Sequence, residues 1–159
     1  FTTLIPQLGI VEVDGHEIVM ADIPGLISGA HLGKGLGIQF LGHIERCQAL
    51  IHIIDGNSEN IIEDYKTIKN EVKKYEKLLD SKPTLVAISK ADAVSDQKME
   101  YNIKALKEYE PILFVISSIS RKGIKEVLRA VQKIRDENEM ELAFGDNKDI
   151  NSLSKWEPK

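Results

Sequence analysis

Three apolar segments that alternate with amphipathic helical patterns restrict the fold of this chain more than any other feature. The apolar segments cover residues 49–55, 84–88 and 112–116. Helical periodicity follows each of them, over residues 58–79, 96–106 and 124–134. Strands that alternate with helices require right-handed crossovers, which place the helices against the faces of the sheet. The pattern therefore predicts an α/β domain with a largely parallel sheet.

An antiparallel hairpin is predicted ahead of this alternating region. Residues 8–13 and 17–21 read as strands, and Asp14-Gly15 between them is a strong signal for a two-residue turn. Residues 38–47 then carry apolar side chains at helical spacing, which predicts a short amphipathic helix.

Length, charge and cysteine content exclude several classes of protein. With 159 residues and a hydrophobic fraction of 42%, the chain is suited to one globular domain. Its net charge is −4, whereas nucleic-acid-binding proteins usually carry an excess of basic residues. A single cysteine, Cys47, excludes an internal disulfide and suits a reducing cytosol. Neither an apolar run long enough to span a bilayer nor a signal peptide is recognisable.

The tetrapeptide Asp22-Ile23-Pro24-Gly25 is the first candidate ligand site. An apolar strand ends at Asp22, and the carboxyl ends of strands are where open α/β sheets bind ligands. Asp22 can hold a magnesium-bound water, and Gly25 lacks a side chain, so its backbone N–H can approach a terminal phosphate. The same residue types also form ordinary turns.

The second and third candidate sites follow the next two strands. In Ser89-Lys90-Ala91-Asp92, the carboxylate can accept hydrogen bonds from the ring N–H and exocyclic NH₂ of guanine, while the lysine stem covers the base. Residues 117–119, Ser-Ser-Ile, can present backbone N–H groups to the guanine carbonyl oxygen, although serines after a strand are also common helix caps. Three signals at the ends of successive strands predict one guanine-nucleotide pocket.

Three longer stretches make residues 1–135 resemble the GTPase domain of the Obg family. They read Phe-Thr-Thr-Leu-Ile-Pro-Gln-Leu-Gly at 1–9, Asp-Ile-Pro-Gly-Leu-Ile-Ser-Gly-Ala-His at 22–31 and Gly-Leu-Gly-Ile-Gln-Phe-Leu-Gly-His-Ile-Glu-Arg at 35–46. The resemblance implies a P-loop NTPase fold, the Ras-like G domain, with a mostly parallel sheet and an antiparallel edge hairpin.

The resemblance also implies roles for individual residues. Thr3, in switch one, would coordinate Mg²⁺ and sense the γ-phosphate, and Asp22, in switch two, would bind the ion through a water. Leu26 stands where many small GTPases place a water-orienting glutamine, so hydrolysis should be slow. The nucleotide-contacting residues implied are Phe1, Thr2, Thr3, Leu4, Ile5, Asp22, Ile23, Pro24, Gly25, Ser89, Lys90, Ala91, Asp92, Ser117, Ser118 and Ile119. Ser89 departs from the family pattern, which has Asn or Thr at that position.

A larger departure is that nothing in the chain matches the phosphate loop G-x-x-x-x-G-K-[ST]. In a Ras-like domain, the strand before that loop is strand 1 of the sheet order 2-3-1-4-5-6. It would lie in the centre of the sheet, between the strands predicted at residues 17–21 and 49–55. Without it we expect two rows of unpaired backbone groups and a less stable fold. We therefore expect this chain, which starts at Phe1, to be a truncated portion of a longer Obg-like protein, without the family's usual glycine-rich amino-terminal domain. Residues 1–135 would form a partial G domain, and residues 136–159 a polar, flexible tail.

The function implied by the resemblance is that of a guanine-nucleotide switch. Its intact form would hydrolyse GTP to GDP and phosphate slowly with Mg²⁺, in large ribosomal subunit assembly and stress responses. We expect a cytoplasmic monomer that does not insert into membranes and whose partners are GTP, GDP and the large ribosomal subunit. One alternative is a non-catalytic remnant or interaction module that does not bind nucleotide. Another is a receiver-like domain that accepts a phosphoryl group on Asp22 or Asp55.

Overall fold

The computed structural model describes residues 7–22, 47–75 and 82–145, and they form a mixed α/β fold. The strands are β1 (Gln7–Val13), β2 (His16–Asp22), β3 (Leu50–Asp55), β4 (Thr84–Ser89) and β5 (Leu113–Val115). The helices are α1 (Ile61–Tyr75), α2 (Asp96–Lys107) and α3 (Ile124–Gly145). The predictions for residues 1–5, residues 23–25, residues 38–46 of the helix predicted over 38–47, and the end of the tail lie outside the described residues. Cys47, the last residue of that predicted helix, is described and is not helical.

The hairpin forms at the predicted turn. β1 and β2 pair antiparallel, from Val13 opposite His16 at the turn to Gln7 opposite Asp22 at the open end. Asp14 and Gly15 have φ angles of 48° and 82°. A two-residue turn with positive φ at both positions matches the right-handed twist of the flanking strands, and aspartate and glycine tolerate that conformation best.

The alternating region forms a parallel sheet, as predicted. β3 pairs with β4 and β4 with β5, all in parallel, so the sheet order follows the chain order. Because a parallel sheet is covered on both faces, its central strand is almost wholly apolar. Ala87 and Ile88 of β4 are each 0% exposed.

Helices cover the sheet and join it to the hairpin. On one face, α1 and α2 pack against the sheet around a cluster that includes Tyr65, Ile88 and Leu106. α3 packs against both sheets. Its Val127 lies in a cluster with Ala87 of β4. Its Leu128 lies in a cluster with Val13 and Ile18 of the hairpin. Apolar burial against α3 therefore holds the two sheets in one fold.

A cleft of about 1570 Å³ lies between the two sheets. Residues 17–22 of β2 and 50–53 of β3 both line it. Within the described residues, β2 pairs only with β1 and β3 does not pair with the hairpin, so the sheet is divided at this cleft. The division agrees with the predicted G-domain sheet that lacks its first strand.

The last helix is longer than the sequence pattern predicted. The apolar periodicity was expected to end at residue 134, but α3 runs on to Gly145. Residues 136–145, expected in the flexible tail, are therefore helical. Pairs at i,i+4 spacing support this polar extension, with 3.8 Å between Lys133 Nζ and Glu137 Oε1 and 3.8 Å between Arg135 Nε and Glu139 Oε1. None of the helices in the described ranges is long and apolar enough to cross a bilayer.

Candidate functional site

Two of the three predicted site segments meet at the carboxyl edge of the parallel sheet. β4 ends at Ser89 and continues into residues 90–92, while β5 leads through Ile116 into Ser117. Two backbone hydrogen bonds join these exits: Ile116 N–H donates to the Ile88 carbonyl at 2.8 Å, and Ala91 N–H donates to the Ile116 carbonyl at 3.1 Å. The loops after neighbouring parallel strands thus form one continuous surface.

The loop after β4 has an unusual backbone conformation at Lys90. Its φ of 59° is in the left-handed region, which is uncommon for a residue with a long side chain. The loop then closes as a turn, because Ala93 N–H donates to the Lys90 carbonyl at 2.9 Å. Ser89 closes the strand end, since its hydroxyl donates to the Ile54 carbonyl at 3.0 Å.

Asp92 accepts a hydrogen bond from the buried Ser117. Ser117 is 0% exposed, and its hydroxyl donates a hydrogen bond to Asp92 Oδ1. The same hydroxyl oxygen accepts from Ser120 N–H at 3.0 Å, so the hydroxyl both donates and accepts a hydrogen bond within the protein. The hydrogen bond from Ser117 orients the Asp92 carboxylate. Because Asp92 itself is exposed, that carboxylate is open to a ligand.

The loop after β5 is closed around this serine. Ser117 N–H donates to the Lys122 carbonyl at 3.0 Å, which makes residues 117–122 a short ring. Gly123 ends the ring with φ 70°, and an added Cβ would lie 2.1 Å from the Val115 carbonyl oxygen. Only glycine fits there. Ile119, at the tip, is 85% exposed.

A further acid, Asp55 at the end of β3, contacts the predicted site. Its Oδ2 lies 2.6 Å from Lys90 Nζ, and its Oδ1 accepts from Asn57 N–H at 2.9 Å. The Lys90 ammonium, with help from the Asn57 N–H, holds the pKa of the Asp55 carboxyl below its usual value. In the sequence, Asp55 was a candidate only as a phosphoryl acceptor, and its ion pair with Lys90 was not predicted.

The turn after β3 is fixed against the β4 exit by contacts that the sequence did not reveal. Gly56 N–H donates to the Ser89 carbonyl at 3.2 Å. Asn102, 1% exposed on α2, donates its side-chain amide to the Gly56 carbonyl at 2.8 Å. These residues are far apart in sequence, so no local pattern could have paired them.

Asp22, the described residue of the first predicted site segment, belongs to the hairpin and not to the parallel sheet that carries these loops. Asp22 is the last residue of β2, opposite Gln7, and it lines the cleft on the hairpin side. Its carboxylate is a hard oxygen ligand of the kind Mg²⁺ accepts, directly or through water. The described ranges contain no group of three or more His, Cys, Asp or Glu placed to hold a metal ion. Thr3, the other magnesium ligand implied by the resemblance, lies outside those ranges.

A second polar cluster lies around Tyr65, away from the predicted site. Tyr65 donates to Glu110 Oε1, and Lys69 Nζ lies 2.9 Å from the same carboxylate oxygen. His52 stacks on the Tyr65 ring at a centroid distance of 5.6 Å, and burial lowers its pKa. A partly buried histidine that stacks on a tyrosine ring contributes to packing here.

Comparison with known proteins connects this geometry to a family. The family model described as 50S ribosome-binding GTPase matches residues 1–90. Over 135 residues, 84% of the chain, the sequence is 43% identical to GTPase Obg of Rickettsia prowazekii (strain Madrid E). The chain spans only 41% of that relative's length.

Similarity to a solved structure agrees with the fold. The chain is similar to a Plasmodium falciparum protein described as nucleolar GTP-binding protein 1, with a TM-score of 0.65. The match covers 92% of this chain and 78% of the other, at 13% sequence identity. At that identity the likeness concerns the fold alone.

Proposed function

This chain belongs to the Obg family of GTPases, and on that premise we propose that it binds GTP and GDP through the loops after β4 and β5. The observation that carries the proposal is the pairing of Asp92 with the buried Ser117. A carboxylate held at a sheet edge can accept both the ring N–H and the exocyclic NH₂ of guanine. Adenine offers no matching pair of donors.

The residues around Asp92 have complementary parts in this proposal. Each carboxylate oxygen has more than one acceptor position, so Asp92 Oδ1 can keep its bond from Ser117 while it accepts from the base. The Lys90 stem covers one face of the purine, and the backbone N–H groups of Ser118 and Ile119 approach the guanine carbonyl oxygen, since Ser117 N–H donates to the Lys122 carbonyl. Ser89 closes the end of β4 through its bond to the Ile54 carbonyl.

The reaction proposed for the intact form of this protein, with a phosphate loop, is slow hydrolysis of GTP to GDP and phosphate. Mg²⁺, when bound, would neutralise charge that develops on the β- and γ-phosphates. Asp22 would hold that ion through a water, together with Thr3. Leu26 follows the switch glycine and has no group that could orient the attacking water, which is why a low rate is proposed.

The proposed cellular role is that of a cytoplasmic, monomeric switch that acts with the large ribosomal subunit. The description of the matching family as ribosome-binding supports this partner. The 43% identity to GTPase Obg supports the assignment to this class of switch.

The experiment that tests nucleotide binding is a titration of the purified chain with a fluorescent GDP analogue in the presence of Mg²⁺. Unlabelled GDP and GTP should compete, and ATP should not. Asp92→Ala should weaken GDP binding at least about tenfold, since hydrogen bonds to a charged group are worth roughly 1.5–3 kcal/mol each. Asp64→Asn, at an exposed position in the first turn of α1, is the matched control and should bind GDP like the wild type.

Two outcomes would contradict the proposal. Folded protein without saturable binding would favour the alternative, an interaction module that does not use nucleotide. Equal competition by ATP and GTP would show that Asp92 does not select the base.

A further inference from the structure

The two carboxylate oxygens of Asp55 accept hydrogen bonds from two different loops. Oδ1 accepts from Asn57 N–H at 2.9 Å and so closes the turn after its own strand. Oδ2 accepts from Lys90 Nζ at 2.6 Å and so reaches the loop after the next strand. One carboxylate therefore connects the β3 turn to a lysine of the predicted base loop.

The carboxylate is held in a fixed place because the turn behind it is anchored. The Asn102 amide, buried on α2, holds the Gly56 carbonyl at 2.8 Å, and Gly56 N–H holds the Ser89 carbonyl at 3.2 Å. The space is also full, since an added Cβ on Gly56 would lie 2.5 Å from the Ser89 carbonyl oxygen. A second lysine, Lys98, donates to the Asn57 carbonyl at 2.9 Å and closes the turn from the outside.

The lysine has less freedom than a surface lysine normally has. The left-handed backbone at Lys90 sets the direction in which its side chain leaves the loop. At the other end, the ammonium is held by Asp55. With its backbone defined and its ammonium paired, the four-carbon stem has fewer conformations to lose when a ligand binds.

We propose that Asp55 is a positioning residue for Lys90, which holds the lysine stem where it covers the face of a bound purine base. This inference rests on the proposed nucleotide function. A stem that covers the ring face contacts guanine and hypoxanthine alike, so Asp55 contributes to affinity, while Asp92 contributes to the choice of base.

A double-mutant cycle tests the proposal on the full chain. Asp55→Asn keeps an oxygen that can accept from Asn57 N–H and removes the charge that pairs with Lys90. It should weaken the binding of GDP roughly two- to fivefold, which corresponds to the free energies measured for exposed ion pairs. The binding of inosine diphosphate should weaken by the same factor. In a Lys90→Met background, Asp55→Asn should have no further effect, because the group it acts through is gone.

The cycle separates positioning from a merely structural role. If Asp55→Asn costs the same affinity in the wild-type and Lys90→Met backgrounds, Asp55 acts through the turn and the proposal is wrong. The proposal is also wrong if the ratio of GDP to inosine diphosphate affinity changes, or if Asp55→Asn leaves affinity unchanged. If the wild-type chain binds no guanine nucleotide, the proposed function fails first.

A second measurement does not depend on nucleotide. Limited acylation with acetic anhydride, followed by mass spectrometry, reports how accessible each lysine amine is. Asp55→Asn should increase labelling of Lys90 relative to the other lysines. Asp14→Asn, which removes a hairpin carboxylate 3.1 Å from Lys125 Nζ of α3, should leave Lys90 labelling unchanged. Unchanged Lys90 labelling in Asp55→Asn would overturn the inference whatever the nucleotide result.

Discussion

Replacing Ser117 by alanine should weaken both the fold and guanine-nucleotide binding. The Ser117 hydroxyl is 0% exposed and takes part in two hydrogen bonds, one to Asp92 and one from Ser120 N–H at 3.0 Å. Each intramolecular hydrogen bond is worth about 1 kcal/mol net. Because water can reach the exposed Asp92 but the serine site is closed, we expect a loss of about 2 kcal/mol in the free energy of unfolding.

The effect on binding has a different origin. Without Ser117, the Asp92 carboxylate must be ordered when the base binds, which costs about 1 kcal/mol for an immobilised side chain. That free energy corresponds to about a fivefold increase in the dissociation constant for GDP. Affinity for phosphate groups alone should not change, so the loss should be the same for GDP and GTP.

The assay combines urea unfolding followed by circular dichroism with titration of a fluorescent GDP analogue. Ser118→Ala is the matched control, since it is the same substitution one residue further on at an exposed position. Its unfolding free energy should stay within about 0.5 kcal/mol of the wild type. The reasoning is refuted if Ser117→Ala behaves like the wild type in both assays, or if both alanine variants lose the same GDP affinity.

Three further changes test the fold around the site. Gly123→Ala should destabilise the protein by at least about 2 kcal/mol in urea unfolding, because its φ is 70° and the new Cβ would lie 2.1 Å from the Val115 carbonyl oxygen; wild-type stability would show that the loop relaxes freely. Leu106→Ala, at a position that is 0% exposed, should cost about 2–5 kcal/mol in the same assay, and a loss below about 1 kcal/mol would contradict its place in the core. Asp14→Asn should remove a pH-dependent part of the stability: hydrogen bonds from Arg129 and Lys125 lower the Asp14 pKa from 3.8 to about 2, so the wild type should be more stable than the variant above pH 3.8 and lose that advantage as the pH falls to about 2. A difference between wild type and variant that does not change over that range would contradict the pair.

Local patterns predicted the elements well because each depends on a few neighbouring residues. Asp14-Gly15 predicted the hairpin turn, since both residues tolerate positive φ. Alternating apolar strands and helices predicted the parallel sheet of β3, β4 and β5, and the structure confirms it. The last helix extends beyond its predicted end at residue 134, and charged i,i+4 pairs support the part of α3 that apolar periodicity did not predict.

The candidate site was predicted in part. The sequence placed Asp92 and Ser117 at the ends of neighbouring strands, and the structure joins them by a hydrogen bond. It did not predict that Asp55 pairs with Lys90, or that Asn102 holds Gly56. Each of these contacts joins residues on different elements, and their distance depends on how the strands and helices pack rather than on spacing along the chain.

By itself, therefore, the sequence determined the family, the order of strands and helices and the residue types at each strand end. The missing first strand of the sheet was also predicted, but only the tertiary structure decided the size of the cleft between the two sheets, about 1570 Å³, with Asp22 on the hairpin side and Asp92 on a loop of the other sheet. Residue types and periodicity are local properties, and they are fixed before the chain folds. Pairing between strand edges and between side chains of distant segments exists only after apolar burial against α3 has brought the two sheets together.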